Sequence, residues 1–337
     1  MERLHNSTDD YYNIYLNGAD GNGSAFTDVN FPVMDALYWH DAGEHNKEMS
    51  QLSGMNLTSM RISDPSFPGK TLWGPGKSHD DITPSDINQG YIGNCWVMAA
   101  VSTLAERDNR ITDFMVTDAL NPAGIYAVNM YTLGVPYTMI IDDWMFMYGD
   151  NTVFAGLGKD GSVWGALVEK AFGKYYGNYE RLVAGLMADA VSALNGSPSE
   201  SISHSPWGGT PLTTDDIWNK IVAAKIDGDI VTGGSKNCGS HDSTTNDGVA
   251  CSHAYSILHT HELLDTSGGV AARLLKIRNP WGSERYAGNW SDDSQLWSSE
   301  YRQQILDSGK GLSNDNEGLF WIDIESYMAN YDLTEIN

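Results

Sequence analysis

The stretch Gln89-Gly-Tyr-Ile-Gly-Asn-Cys95-Trp96 runs straight into a helix-forming segment from Val97 to Arg107, and no other junction in the sequence restricts the fold as much. Gly90 and Gly93 punctuate a loop, and that loop delivers a cysteine to the first position of a helix. A thiol placed there meets unpaired backbone N–H groups and the positive end of the helix dipole, both of which favour the thiolate. Gln89, six residues upstream, is placed to fold its side-chain amide back and donate to an oxyanion. The competing reading is a small buried cysteine that packs as a hydrophobe.

Two distant segments favour the chemical reading. Cys251-Ser-His253-Ala-Tyr-Ser-Ile-Leu and Leu274-Leu-Lys-Ile-Arg-Asn279-Pro-Trp-Gly282 both alternate like strands. The turn-rich Asp265-Thr-Ser-Gly-Gly269 between them predicts a hairpin. A hairpin centred on Thr266 sets His253 across from Asn279 with both side chains on one face. An Asn oxygen can then fix one imidazole nitrogen and leave the other for a thiol.

The remaining sequence organises around these segments. Residues 1–75 predict loops and short strands, with a flexible leader over 1–30. Residues 76–200 predict a helix-rich half, in which Val163, Trp164, Leu167, Val168, Ala171, Phe172 and Tyr175 recur at helical spacing as core. The Pro- and Gly-rich stretch 196–213 predicts a junction, followed by a short helix capped by Thr214 with Asp215 and Asp216 in its first turn. Residues 201–337 predict strands at Ile230–Thr232, His253–Leu258, Leu274–Arg278 and Leu319–Ile322. The fold class is therefore α+β, a helix-rich half carrying the cysteine and an antiparallel β-rich half carrying His and Asn. An active site made from both halves makes domain closure a natural switch.

Charge and cysteine content narrow the partners. Lys plus Arg number 20 against 44 Asp plus Glu, a net charge of −24, which argues against nucleic acid or an anionic membrane as partner. No apolar run reaches membrane-spanning length, and Met1-Glu-Arg-Leu-His5 lacks a signal-peptide core. The three cysteines suggest no disulfide framework, so a cytoplasmic protein is expected and the five Asn-x-Ser/Thr sequons, such as Asn6-Ser-Thr8, read as chance.

Six segments, in order, carry a resemblance. They are Asp86-Ile-Asn-Gln-Gly-Tyr-Ile-Gly-Asn-Cys-Trp96, Val163-Trp-Gly-Ala-Leu-Val-Glu-Lys-Ala-Phe172, His253-Ala-Tyr-Ser256, Arg278-Asn-Pro-Trp-Gly282, Gly288-Asn-Trp-Ser-Asp292 and Gly318-Leu-Phe-Trp-Ile322. From about residue 76 to the end the chain resembles the calpain family of cysteine proteases, while the first 75 residues match poorly. The resemblance implies a papain-like core and hydrolysis of protein or peptide substrates. It also implies Cys95 as nucleophile, His253 as base, Asn279 as the residue orienting it, Gln89 as oxyanion donor and Trp281 as a shield for the His–Asn contact.

The resemblance further raises calcium as a possible cofactor, one ion in each half, yet the ligand pattern is incomplete. Asp86 stands at a ligand position, with Asp80 and Asp81 nearby, but Ser162 replaces an expected Glu. Asp292 and Glu317 fit, but Arg285 and Leu319 replace expected acids, and Arg285 is expected to pair with Asp292 or Glu317 instead. Ala193-Leu194 and Ser252 also replace glycines expected along the cleft. Three alternatives stay open. Cys238, His241, Cys251 and His253 are plausible zinc-ligand types for a binding module; a transglutaminase-like acyl transferase also places Cys-Trp at a helix start; and a pseudoprotease would only bind.

Overall fold

A computed structural model describes residues 12–13, 25–37, 47–69, 71–76, 78–207, 209–239, 243–312 and 315–337. Most of the leader expected over 1–30, the Asn6 sequon and His241 lie outside these residues. The chain divides into two compact units at Ser197/Pro198, and each is described by itself.

The first unit contains α1 (Lys47–Leu52), β1 (Thr58–Arg61), α2 (Cys95–Leu104), α3 (Asp108–Phe114), β2 (Ile125–Thr132), β3 (Val135–Asp142), β4 (Trp144–Tyr148), β5 (Asn151–Thr152), α4 (Trp164–Tyr176) and α5 (Met187–Asn195). Every residue of α2 is buried, as expected of a helix apolar on all sides. Gly177 and Gly196, at φ 95° and 71°, end α4 and α5 in the left-handed conformation that glycine adopts without a Cβ penalty.

This unit is less helical than the sequence predicts. β2 and β3 form an antiparallel hairpin, and β1, β4 and β5 form a small antiparallel sheet. The first four residues of β2 are all buried, so the alternation that betrays a half-buried strand is missing. Buried charge ties the pieces together: Lys170 Nζ on α4 donates to Asp142 Oδ1 and to the Trp144 carbonyl, both at 2.5 Å, and Arg61 pairs with Asp143.

The second unit contains β6 (Glu200–Ser203), α6 (Thr214–Asp227), β7 (Val231–Ser235), β8 (Ala254–Leu264), β9 (Val270–Arg278), α7 (Ser299–Asp307), β10 (Leu319–Asp323), α8 (Ile324–Asn330) and β11 (Tyr331–Ile336). Its six-stranded sheet runs β10-β9-β8-β7-β11-β6, antiparallel throughout. Both faces are covered, and strand periodicity decides which core each side chain joins. Leu275, Ile277, Phe320 and Ile322 pack with Trp218 and Ile221 of α6, whereas the intervening Leu274 and Trp321 pack with Trp290, Trp297 and Ile305. The α+β class holds.

Three local expectations need correction. The cap of α6 is Thr213, whose hydroxyl accepts from Asp216 N while Asp216 accepts from Thr213 N at 2.8 Å, and the helix is not short but runs 14 residues. The hairpin pairs Ser256 with Arg278 and Ile257 with Ile277, then shifts at a bulge before His259 pairs with Lys276. The Asp265–Gly269 turn closes on an Asp265 N to Gly269 O bond of 2.8 Å and moves the centre one residue past Thr266, so His253 is not directly across from Asn279. Finally, Cys238 and Cys251 form a disulfide with Cα atoms 5.5 Å apart, against the expectation of none. Among the described residues no helix is long and apolar enough to cross a membrane.

Candidate active-site residues

In the first unit, backbone contacts shape the loop that presents Cys95. Tyr91 N donates to Val153 O at 2.9 Å and Gly156 N to Asn88 O at 2.7 Å, so the loop is laid against segment 153–156. A Cβ at position 90 would penetrate the Phe154 carbonyl group; only glycine fits. Gln89 Nε2 donates to the Ile92 carbonyl at 2.7 Å, which folds the side chain onto its own loop. An amide nitrogen carries two hydrogens, so one N–H remains for an oxyanion.

Cys95 opens α2 with 8% of its surface exposed. The preceding residue, Asn94, occupies the cap position but makes no side-chain cap to the helix. Its Nδ2 donates instead to Glu169 Oε1 at 2.7 Å, so no cap side chain masks the positive helix end beside the thiol. Glu169 Oε2 accepts from Ala155 N at 2.8 Å. Burial pushes this carboxyl group up to about 7, against the two hydrogen bonds that favour its charged form. Trp96 is anchored by donation to Leu182 O at 2.7 Å and by edge contacts with Phe172 and Tyr176.

In the second unit, the structure brings His253 and Asn279 together despite the register shift: His253 Nε2 lies 2.9 Å from Asn279 Oδ1. The same oxygen accepts from Trp281 N at 3.0 Å. A peptide N–H can only donate, so this Asn279 atom is oxygen, and His253 Nε2 must carry the hydrogen it shares. In the neutral ring the basic nitrogen is then Nδ1. Asn279 N donates to Gly318 O at 2.8 Å, and a Cβ at Gly318, where φ is +86°, would lie 2.6 Å from the Asn279 carbonyl oxygen.

Ser235 holds the His253 backbone from both sides. Its hydroxyl accepts from His253 N at 2.9 Å, and its N–H donates to His253 O at 2.9 Å. The imidazole packs 4.4 Å from the Trp281 ring and meets Tyr255 edge-on at 4.9 Å. Trp281 also packs against the hydrophobic core.

The sequence did not single out Asn94, Glu169 or Ser235. Glu169-Lys170 lies within an apolar helical segment, on the side that periodicity assigns to solvent. Both residues are buried because further segments cover that side. A charged pair inside an otherwise apolar helix was the available signal.

The zinc alternative loses its donors, since the disulfide consumes both thiols. Among the described residues no group of three or more His, Cys, Asp or Glu is poised to hold a metal ion. Asp86 is engaged as a structural acceptor for Thr83 N, Thr83 Oγ1 and Trp164 Nε1, and burial raises it to about 6. Arg285 does not pair with Asp292 or Glu317 as expected; its guanidinium lies over the Trp281 ring at 5.7 Å. Arg302 faces Asp292 instead, donating to its carbonyl at 3.3 Å, while burial raises the Asp292 carboxyl to about 6. The negative charges of Glu284, Asp293 and Glu317 add to the rise of the Asp292 carboxyl.

The model of the calpain family of cysteine proteases matches residues 26–337, and so reaches well into the first 75 residues that the motifs left unmatched. The calpain-type cysteine protease DEK1 of Arabidopsis thaliana is 29% identical over 91% of this chain, and the calpain-type cysteine protease ADL1 of Oryza sativa subsp. japonica 30% identical over 91%. Calpain-A of Drosophila melanogaster is 26% identical over 96% of the chain. The chain spans 14% of the length of the two plant relatives and 37% of the fly protein. With a family match that runs through Cys95, His253 and Asn279, the chain belongs to the calpain family of cysteine proteases.

Proposed function

We propose that this chain is a cysteine endopeptidase in which Cys95 is the nucleophile, His253 the general base and acid, Asn279 the residue that orients the imidazole, and Gln89 an oxyanion donor. The observation that carries it is the shared acceptor: Asn279 Oδ1 binds both Trp281 N and His253 Nε2. That arrangement assigns the tautomer and leaves Nδ1 basic, as removal of a thiol proton requires.

In the proposed reaction the Cys95 proton passes to His253, and the thiolate adds to a substrate peptide carbonyl. The tetrahedral oxyanion is stabilised by the Gln89 amide and the Cys95 backbone N–H, where loss of one donor typically costs about 10²–10³-fold in kcat. Collapse breaks the C–N bond as His253 returns the proton to the leaving amine, and a thioester remains. Water attacks the thioester, gives its proton to His253, and releases the carboxyl product and the thiol. No step is assigned to calcium.

The test is hydrolysis of casein by the purified chain, with a thiol-directed epoxide followed by peptide mapping. Labelling at Cys95 with loss of hydrolysis is expected, as is inactivity of a folded Cys95→Ala variant. Hydrolysis that persists in Cys95→Ala would overturn the assignment.

A further inference from the structure

We propose that Glu169 is a positioning residue for the nucleophile, its buried carboxyl group clamping Asn94, immediately before Cys95, to the 153–156 segment. The role rests on the protease reading, because it concerns where that reaction's thiol is presented.

The geometry supports it at both ends of the clamp. Glu169 is 2% exposed, and each carboxyl oxygen has one short contact, Oε1 with Asn94 Nδ2 at 2.7 Å and Oε2 with Ala155 N at 2.8 Å. Ala155 lies between Phe154, whose carbonyl closes on Gly90, and Gly156, which donates to Asn88 O at 2.7 Å. One side chain of α4 thus fastens the cysteine loop to the segment it lies against. The adjacent cation is committed elsewhere, since Lys170 Nζ binds Asp142 Oδ1 and Trp144 O. The titratable neighbours are Tyr179, whose phenol Glu169 helps to raise, and the Cys95 thiol one residue beyond Asn94.

Protonation changes what the clamp can do. A carboxylate accepts from both partners; a carboxylic acid has a hydrogen of its own to place. The contact with Asn94 persists in the acid form if the Asn94 amide turns over and its oxygen accepts. Asn94 Oδ1 is buried and has no hydrogen-bond partner in the present arrangement, so the turn breaks no bond to that atom. Burial pushes Glu169 up to about 7, so the two arrangements exchange near neutral pH.

The test is Glu169→Gln in the full chain. The amide cannot ionise and holds the neutral arrangement at every pH. Expected are a kcat lowered roughly 10- to 100-fold with KM nearly unchanged, and loss of an inflection near pH 7 from the rate of Cys95 alkylation by iodoacetamide. An unchanged kcat together with an unchanged alkylation profile would overturn the proposal. Alkylation needs no proteolysis, so the two readings separate. A chain that shows the altered profile but hydrolyses nothing keeps the clamp and loses the protease reading. A chain that hydrolyses casein with no change in E169Q does the reverse. Should E169Q fail to fold, Asn94→Ala removes the same contact from the other side, and an unchanged kcat there overturns the clamp.

Discussion

The two units hold their reactive side chains by different physics. Cys95 depends on a helix start, a glycine pressed on a carbonyl group, and a buried ionisable clamp through Glu169. His253 and Asn279 are fixed by neutral partners: the Ser235 hydroxyl, the Trp281 and Asn279 peptide N–H groups, and the Gly318 carbonyl. A clamp that titrates near neutrality makes nucleophile positioning pH-dependent, whereas backbone donors and hydroxyls do not titrate in that range. The difference separates presentation of the thiol from presentation of the base, so substitutions in each unit should fail in distinct ways.

The largest effects should come from the base side. His253→Ala is expected to be as severe as loss of Cys95, about 10⁴–10⁶-fold in kcat. Asn279→Ala should cost less, about 10²–10⁴-fold, because the imidazole remains but loses its fixed tautomer. Steady-state hydrolysis of a fluorogenic peptide measures both. An Asn279→Ala rate equal to wild type would show that the bond at 2.9 Å does not orient the base.

The next effect concerns a staple present in the second unit alone among the described residues. Cys238 and Cys251 are 13 residues apart, and Cys251 lies two residues before His253. Closing a loop of that size is worth about 3 kcal/mol in the chain-entropy account. Cys238→Ser/Cys251→Ser should lower unfolding free energy by about that amount in urea titrations. No change would mean that the His253 segment is held by Ser235 and the sheet alone. The bond also removes the cysteine argument for a cytoplasmic location, since disulfides persist mainly in oxidising compartments.

Acid and base should pull the units in opposite directions, by a smaller amount. Burial raises Glu169 from 4.5 to about 7, so its contribution to stability is fully present below about pH 4.5 and is lost as pH rises through about 7. Burial lowers His204 from 6.5 to about 4; its contribution is present above about pH 6.5 and is lost as pH falls through about 4. Asp292, raised to about 6, acts in the same direction as Glu169, but its partial exposure reduces the effect. Hydrogen exchange corrected for intrinsic rates, followed on α4 and on β11 between pH 4.5 and 6.5, should show protection falling in the first and rising in the second. Parallel trends would remove the electrostatic contrast between the units.

The sequence made the chemistry more legible than the scaffold. Cys95, Gln89, His253 and Asn279 stood out because loop glycines, a helix start and strand alternation are local signals. The hairpin register was misplaced by a turn centred one residue further along, which alternation cannot reveal, yet Asn279 still reaches the imidazole diagonally. The β2–β3 hairpin was hidden by burial at the start of β2, and β11 was missed although it lies between β7 and β6. Strand order in such a sheet comes from long-range pairing. Glu169-Lys170 gave only the signal of a charged pair in an apolar segment, because helical periodicity places Glu169 on the polar face, and packing from other segments buries it.

The smallest expected effect tests backbone strain beside the base. In the first unit the crowded position is a glycine, Gly90, whereas in the second Ser252 adopts φ +49° directly before His253. A left-handed conformation costs a non-glycine residue about 1–2 kcal/mol. The Ser252 side chain is exposed, and the N–H bond to Lys236 O at 3.0 Å belongs to the backbone, so Ser252→Gly removes the strain and keeps that bond. Glycine's greater freedom in the unfolded chain returns roughly 0.5–1 kcal/mol of that gain. The net stabilisation should be about 0.5 kcal/mol, a rise in Tm of about 1–2 °C. Because Ser235 and Asn279 grip His253 independently, kcat should stay within about twofold. A large fall in kcat with the expected rise in Tm would mean that the strained backbone aims the imidazole. The base would then depend on a conformational clamp, as the nucleophile depends on a charged one.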